Sequence, residues 1–308
     1  MKKLLMYLVI LVSGLIGLMA LSPGKTTNLA MNAERSVSGL DFKTVVIAGE
    51  NWHYLEGGPT DAEVVLLLHG FGGDKDNWTR FSRSLTSSYR VIAPDLPGFG
   101  MSTRHRDWDY SLPRQLSRVN GFVQELGLEQ FHVVGHSMGG HLAALYTHNY
   151  PGQVLSMALF NNAGVDAPDE NDMQRALANG DNPLIVESLE DFDRLLAFAS
   201  HKKPFVPWPV KGVLAQQALD HAEFNQSIFE SLKNDRSSSL EPILTDIAKP
   251  VLILWGEYDR ILDVSSVNVM RTLLPRAEVV IMKDTGHSPM LERPAETATH
   301  YLGFVENY

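Results

Sequence analysis

Short β-rich runs alternate along the chain with segments of helical periodicity, and this alternation constrains the fold more than any other feature. The runs are FKTVVIAG, NWHYLEGG, EVVLLLHG, YRVIAPD, FHVVGHS, VLSMALFNN, PVLILWGEYD and AEVVIMKDTGH. Several are continuously apolar, as expected for central parallel strands covered on both faces. Helices are predicted between them at 112–126, 137–149, 263–273 and 293–305. The pattern predicts an α/β fold with a mostly parallel central sheet, helices on both faces and functional loops at the carboxyl ends of the strands.

One long interval interrupts this alternation. Residues 165–248 contain no convincing strand, and the interval is too long for an ordinary connection within a compact domain. We therefore predict an inserted helical cap or lid there, between core segments at 40–164 and 249–308. The polar, small residues of 23–39 predict a linker, and residues 1–22 form a separate N-terminal segment.

The N-terminal segment is strongly apolar. Two lysines, Lys2 and Lys3, precede an uncharged stretch over 4–21, which as a helix would span roughly 27 Å, close to the thickness of a bilayer core. The lysines would stay on the cytoplasmic side, which places the rest of the chain on the periplasmic or extracellular side. A cleaved signal peptide and secretion are the alternative, although the apolar run is longer than usual and its end matches a cleavage site poorly. We expect a membrane anchor.

Composition excludes several classes of function. The chain has 308 residues, a formal net charge of -10 and no long basic run, so a nucleic-acid partner would be repelled. It has no cysteine, which removes disulfides, thiolate metal sites and cysteine nucleophiles together. No H-E-x-x-H pair or other cluster with metal-ligand spacing occurs. We expect neither a metal ion nor an organic cofactor.

The run GHSMGG places Ser137 between glycines where a strand-like run changes into a helix-like one. The spacing Gly135-x-Ser137-x-Gly139 suits a sharp turn, because the central residue takes an unfavourable backbone conformation and small neighbours let the chain pass closely. The following helix brings backbone N–H groups and a positive dipole end to the serine. We predict that Ser137 is a nucleophile.

A serine hydroxyl needs a base and a third group that orients the base. His287, in KDTGHSPMLERP, follows the last predicted strand on a loop that should return over the active edge of the sheet. His69 and His136 lie in or beside the motif turns, where packing and backbone hydrogen bonds are the expected uses. His287 is therefore the predicted base.

The acid that orients the base is expected after the apolar run PVLILWG. Asp259 follows that apolar run by a short turn and is the favoured candidate. Glu257 and Asp263 are close enough in sequence to be rivals, and Asp166, after the preceding strand, is a remoter one. Asp95 in APDLPGFG also follows a strand, but there a turn-capping role is expected.

Two N–H donors are needed for the oxyanion of an acyl-transfer intermediate. The turn HGFGGDKDNW after VVLLL offers the backbone N–H of Phe71, and the residue after the nucleophile offers that of Met138. A simple tight turn and a phosphate-binding loop are the alternatives, and the second lacks the Lys-Ser/Thr pair of a P-loop.

Five blocks together resemble the signature of the α/β-hydrolase superfamily: LLLHGFGGDKDNW, VIAPDLPGFGMS, VVGHSMGGHLA, LILWGEYDRIL and DTGHSPMLERP. With the anchor and cap, the chain is similar to membrane-anchored monoacylglycerol lipases and to bacterial family V lipases and esterases. The resemblance implies carboxylic ester hydrolysis with the triad Ser137, Asp259 and His287, in the chain order of that fold, and with Phe71 and Met138 as oxyanion donors.

The substrate is inferred from the cap. Phe205 and Trp208 are interleaved with prolines in HKKPFVPWP, next to Lys202 and Lys203. Such a loop is expected to contact a lipid substrate or a membrane interface, with packing on the cap itself as the alternative. We predict hydrolysis of lipid-derived esters, such as monoacylglycerols or short- to medium-chain acyl esters. C–C bond hydrolysis, cofactor-free perhydrolysis and a catalytically silent ligand-binding protein remain alternatives.

Overall fold

The computed structural model describes residues 22–234 and 239–308. An eight-stranded sheet forms its centre, with strand order β1-β2-β4-β3-β5-β6-β7-β8. The β1–β2 and β2–β4 pairs are antiparallel, and the other five neighbouring pairs are parallel. The prediction of a mostly parallel sheet is confirmed.

Each of the eight β-rich runs forms one strand of this sheet. The strands are β1 Leu40–Ile47, β2 Glu50–Gly57, β3 Val64–Leu68, β4 Arg90–Pro94, β5 Phe131–His136, β6 Val154–Phe160, β7 Val251–Gly256 and β8 Glu278–Met282. Every residue of β3, β5 and β7 is buried, because helices cover both faces of the sheet. Two large apolar clusters, one on each face, make up the core.

Four helices of the core match the periodic segments of the sequence: α3 Leu112–Glu125, α4 Met138–Asn149, α10 Ser266–Leu273 and α12 Pro294–Val305. Two shorter ones are α2 Thr79–Ser82, which follows a 3-10 turn at Lys75–Trp78, and α11 Pro289–Glu292. The parallel strands point their carboxyl ends at one edge, so the loops that follow β3, β5, β6, β7 and β8 gather there.

Between β6 and β7 the described residues contain helices and no strand. They are α5 Asp172–Ala178, α6 Leu189–Ala199, α7 Val210–Asp220, α8 Ala222–Asn234 and α9 Glu241–Leu244. Two small apolar clusters hold this region together, and one of them includes Ile261 from the loop after β7. The helices therefore lie over the edge where the functional loops gather.

The segment 23–39 does not form the expected linker. Residues Pro23–Val37 form helix α1, with proline in its first turn. The polar, small composition predicted a linker, but tertiary contacts hold the helix on the domain: Arg35 forms a two-pronged ion pair with Asp76 at 2.6 and 2.7 Å, and α1 also packs against cap helix α7.

The apolar stretch at 4–21 lies outside the described residues. Within the described ranges, no helix is both long and apolar enough to cross a bilayer.

Candidate active site

Ser137 occupies a strained turn between β5 and α4. Its φ of 54° and ψ of -120° lie in a region that side-chain-bearing residues rarely adopt. The chain passes very closely here, since a Cβ on Gly135 would collide with the carbonyl oxygen of Gly139, and a Cβ on Gly139 with that of Leu68. Close packing of glycine backbones therefore holds the serine at the carboxyl edge of the sheet, in the way that its spacing predicts.

His287 and Asp259 form a buried hydrogen-bonded pair. Nδ1 of His287 lies 2.8 Å from Oδ2 of Asp259, and the two residues are 5% and 6% exposed. The other carboxylate oxygen accepts the backbone N–H groups of Ile261 at 2.8 Å and Leu262 at 3.0 Å. These bonds fix the carboxylate, and a carboxylate at Nδ1 favours the tautomer in which Nε2 is free to accept a proton.

The rival acids have other partners. Asp263 accepts the N–H of Ser265 at 2.8 Å, and Glu257 is exposed. Asp166 lies near Glu241, whose carboxylate accepts its backbone N–H at 2.8 Å. Asp259 is thus the candidate that the structure brings to His287.

His287 lies beside the serine turn through contacts with its neighbour His136. The two imidazole rings are 4.7 Å apart between centroids, and Nε2–H of His136 donates to the carbonyl oxygen of His287 at 2.8 Å. Burial, and after it the nearby His287, keeps the pKa of His136 well below its usual value. The neutral ring of His136 therefore donates to the backbone carbonyl of His287 and holds the loop of His287 against the serine turn.

Asn161 is a member of this site that the sequence analysis missed. It follows β6 with a φ of 43°, and its Nδ2 donates to Oδ2 of Asp259 at 2.7 Å. Its Oδ1 accepts the N–H of Gly256 at 3.3 Å, so the amide joins the ends of two neighbouring strands. The available signal was a polar pair, Asn161 and Asn162, directly after an apolar strand.

The loop after β3, residues 69–78, approaches the serine closely and is named the oxyanion loop here. A Cβ on Gly70 would lie 2.9 Å from Cβ of Ser137. Gly73 N–H donates to the Gly70 carbonyl at 3.1 Å, which leaves the N–H of Phe71 outside the turn's own hydrogen bond. Met138 is the first residue of α4, so its N–H has no acceptor within the helix. The two predicted donors therefore belong to segments that meet at the serine.

The base of the oxyanion loop is held by a buried histidine. The ring of His69 accepts the N–H of Leu96 at Nε2, at 2.9 Å, and donates from Nδ1 to the carbonyl of Gly70 at 2.7 Å. Burial lowers the pKa of His69, so the ring is neutral and both bonds persist. His69 has the backbone-bonding role expected of it.

A buried ion pair supports the far end of the same loop. The Asp95 carboxylate accepts the N–H of Lys75 at 2.7 Å, the Lys75 ammonium at 3.0 Å and the N–H of Met101 at 2.8 Å. Asp95 caps its own turn, as predicted, and does not contact His287. Because Lys75 also lies 3.2 Å from Asp76, the network continues to Arg35 on α1.

The cap reaches the oxyanion loop through aromatic contacts. Phe229 on α8 meets the ring of Phe71 edge to face, with centroids 5.6 Å apart, and Phe71 meets Phe99 in the same manner at 5.7 Å. Phe205 and Trp208 are instead on the outer surface of the cap, 80% and 61% exposed. Phe229, which the sequence analysis did not name, is thus the cap aromatic residue that contacts the oxyanion loop.

Two cavities are prominent on the described chain. The first, about 380 Å³, lies beside the turn that carries Asp259 and is lined by charged side chains of α5 and the β7 loop, including Asp172, Arg175 and Arg260. Among the described residues, no group of three or more histidines and carboxylates could hold a metal ion. The second, about 500 Å³, lies at β1, β2 and α3, away from the serine.

A parallel sheet with a serine on a strained strand-to-helix turn is the arrangement of α/β hydrolases. The sequence profile of the alpha/beta hydrolase fold matches residues 63–294. The chain belongs to this family, and the resemblance inferred from its five sequence blocks is confirmed.

Individual proteins extend the comparison. The chain is 36% identical to Lipase 1 of Psychrobacter immobilis over 281 residues, which are 91% of this chain and 88% of that lipase. It is 33% identical to monoacylglycerol lipase abhd6-A of Xenopus laevis, over 82% of this chain and 77% of the relative. A crystal structure of a membrane phospholipase A matches with a TM-score of 0.91 and 45% identity, over 100% of this chain and 99% of that one.

Proposed function

We propose that this chain is a serine carboxylic ester hydrolase that acts on lipid-derived esters, most specifically monoacylglycerols or short- to medium-chain acyl esters. The observation that carries the proposal is the buried pair of Asp259 and His287, at 2.8 Å, beside the strained turn of Ser137. Similarity to a lipase, a monoacylglycerol lipase and a membrane phospholipase A supports the lipid nature of the substrate.

In the proposed reaction, His287 takes the hydroxyl proton as Ser137 attacks the acyl carbonyl. Asp259 holds the ring and stabilises the imidazolium that forms. His287 then passes the proton to the leaving alcohol, and an acyl-enzyme remains on Ser137. A water molecule that gives its proton to His287 releases the fatty acid and restores the serine.

The oxyanion of each tetrahedral intermediate accepts hydrogen bonds from the backbone N–H groups of Phe71 and Met138. The N-terminus of α4 adds a partial positive charge at the same point. Because the oxyanion loop is fixed by His69 at one end and by the Lys75–Asp95 pair at the other, these donors need not reorganise when charge develops. Preorganised donors of this kind are worth about 100- to 1000-fold each in rate.

We also propose that the chain works at a membrane, with its catalytic domain on the periplasmic or extracellular side. The apolar segment at 4–21, the two lysines before it and the similarity to a membrane phospholipase A support this location. Phe205 and Trp208, highly exposed on a loop that also carries Lys202 and Lys203, are proposed to contact lipid at the interface.

The test compares the wild-type chain with Ser137→Ala and, as a control on the exposed face of α3, Ser117→Ala. Turnover of p-nitrophenyl esters, monoacylglycerols and triacylglycerols is measured with labelling by a fluorophosphonate. Ser137→Ala is expected to lose turnover by about a million-fold and to lose labelling, whereas Ser117→Ala keeps both. Retained turnover in Ser137→Ala would exclude the mechanism. Cleavage of C–C bonds or peracid formation without ester hydrolysis would point to another reaction on the same fold.

A further inference from the structure

Glu292, at the end of α11, accepts hydrogen bonds from two different parts of the chain. Its Oε1 accepts the N–H of Gly286 at 2.9 Å and lies 3.4 Å from the N–H of Ser288. Its Oε2 accepts the N–H of His201 at 2.8 Å and that of Lys202 at 3.1 Å. One carboxylate thus joins the residues on either side of His287 to the beginning of the cap loop, residues 200–209.

The contacts around His287 make this carboxylate important for the position of the imidazole. The N–H of His287 donates to the carbonyl of Ala199, the last residue of α6, at 3.1 Å. Its carbonyl oxygen accepts from His136. The backbone of the base is therefore held by the cap on one side and by the serine turn on the other, while Glu292 fixes both of its neighbours.

Packing at the same point is tight. A Cβ on Gly286 would lie 2.5 Å from the backbone nitrogen of His201 and 2.9 Å from Oε1 of Glu292. The two loops are thus in direct contact, with the carboxylate between them. A displacement of the cap loop at 201–202 cannot occur without moving Glu292 or breaking its bonds.

The cap loop continues from Lys202 to the exposed aromatic residues. Phe205 follows three positions after Lys202, and Trp208 follows three positions later. A ligand that binds these two side chains therefore contacts the same loop whose first residues, His201 and Lys202, are hydrogen-bonded to Glu292. The path from the cap surface to His287 is therefore short: it runs along the chain from Phe205 to Lys202 and then through the hydrogen bonds between backbone N–H groups and the Glu292 carboxylate.

We propose that Glu292 is a positioning residue that couples the cap loop to the catalytic base. In this role it keeps the imidazole of His287 aligned on Asp259. When the cap loop contacts a lipid surface, Glu292 passes the resulting shift of the loop to the imidazole. This inference rests on the proposed esterase function and adds to it a means by which a lipid interface raises turnover at the same site.

The test uses the full chain with Glu292→Gln and Glu292→Asp. The matched control is Glu296→Gln, which alters a more exposed glutamate one turn further along the chain that pairs with Arg293. Glutamine replaces one acceptor oxygen by an NH₂ group, which cannot accept from the backbone N–H donors on that side. Aspartate keeps both acceptor oxygens and the charge, but on a shorter side chain. Turnover of p-nitrophenyl butyrate is measured with and without vesicles of phosphatidylcholine and phosphatidylglycerol, normalised to the serine that fluorophosphonate titrates.

For Glu292→Gln we expect kcat on the soluble ester to fall about 10- to 100-fold, because a displacement of about 1 Å at a catalytic group costs that much. KM should remain close to wild type, and the rise in turnover on adding vesicles should disappear. Glu292→Asp should recover part of both properties, and Glu296→Gln should match wild type. If Glu292→Gln does not fold, the intermediate behaviour of Glu292→Asp carries the test.

Unchanged kcat in a folded Glu292→Gln chain would overturn the proposal, as would a lower kcat with the vesicle response intact. A purely structural role predicts fewer titratable sites with normal turnover per site, and this result would overturn it too. Failure of the proposed function is a separate outcome, since the wild-type chain would then hydrolyse no ester before any variant is compared.

Discussion

The side-chain amide nitrogen of Asn161 lies 2.7 Å from Oδ2 of Asp259, the same oxygen that faces Nδ1 of His287 at 2.8 Å. With the two backbone N–H bonds to Oδ1, the carboxylate has a full set of donors while buried. Donors on both oxygens fix the direction of the carboxylate. Asn161 is thus bound to the group that orients the base.

The first prediction concerns Asn161→Gly. Glycine keeps the positive φ of this position accessible and removes only the amide. A hydrogen bond to a charged group is worth roughly 1.5–3 kcal/mol, so kcat/KM for p-nitrophenyl butyrate should fall about 10- to 100-fold. Asn149→Gly, on the surface end of α4, controls for added backbone freedom. Equal activity in Asn161→Gly and wild type would show that the backbone bonds alone fix Asp259.

The second prediction separates the acid from its neighbour in sequence. Asp259→Asn should lower kcat by about 10⁴-fold, because an amide at this point favours the wrong histidine tautomer. Asp263→Asn loses only a turn bond to Ser265 and should retain turnover within a few-fold of wild type. Measuring kcat for both variants at one pH identifies the catalytic acid. A larger loss in Asp263→Asn than in Asp259→Asn would assign the role to Asp263.

The third prediction concerns stability and pH. Burial, followed by the nearby charges of Asp76 and Asp95, raises the pKa of Asp74 to about 7. The folded chain then binds this proton more tightly than the unfolded chain, so the free energy of unfolding falls as pH rises from about 4 to 7, by at most about 1.4 kcal/mol per pH unit. Asp74→Asn keeps an acceptor for the N–H of Asp76 and should remove this part of the slope.

Urea unfolding at several pH values between about 5 and 7 measures that slope. Asp41→Asn, at an exposed position of β1, should keep the wild-type slope and serves as the control. An Asp74→Asn chain whose stability falls with pH as steeply as wild type would contradict the assignment.

The fourth prediction compares two ion pairs of α1. Arg35 and Asp76 are 13% and 11% exposed at their side chains, whereas Arg80 and Glu34 are 38% and 40% exposed. Water screens the second pair, which should contribute about 0–1 kcal/mol. A double-mutant cycle with Arg35→Gln and Asp76→Asn should give a coupling of about 1–3 kcal/mol, and the cycle with Arg80→Gln and Glu34→Gln should give less. Equal couplings would mean that α1 is not anchored through Arg35.

Much of the fold and of the candidate site could be predicted from the sequence, because the signals that indicate them are local. Several strands come from continuously apolar runs such as VVLLL and VLILW, and Ser137, Asp259 and His287 each lie within five residues of the end of a strand. Parallel strands end at one edge, so residues from distant parts of the sequence were expected to meet there.

What could not be predicted depends on contacts between distant segments. Helix α1 has a polar, small composition, and its position depends on partners more than forty positions away, such as Asp76. Glu292 lies in the block DTGHSPMLERP and Asn161 directly follows a strand, but their roles depend on where two loops meet, which the sequence does not show. Phe229 lies on an amphipathic helix whose periodicity does not indicate which aromatic residue faces the oxyanion loop.

The last prediction concerns Phe229, whose ring meets that of Phe71 edge to face. The contact places cap helix α8 against the oxyanion loop, and we expect the ring to limit the space for an acyl chain at Ser137. Phe229→Ala removes this bulk and should raise the ratio of kcat/KM for p-nitrophenyl laurate to that for the butyrate by about 10-fold, which is the scale of discrimination that a hydrophobic pocket achieves.

Phe224→Ala is the matched control, because Phe224 lies on the same helix and packs on Tyr110 instead. It should leave the ratio between the two esters unchanged. If Phe229→Ala lowers activity equally for both esters, the ring supports the oxyanion loop and does not select chain length. If the ratio rises as expected, the cap selects chain length at Phe229.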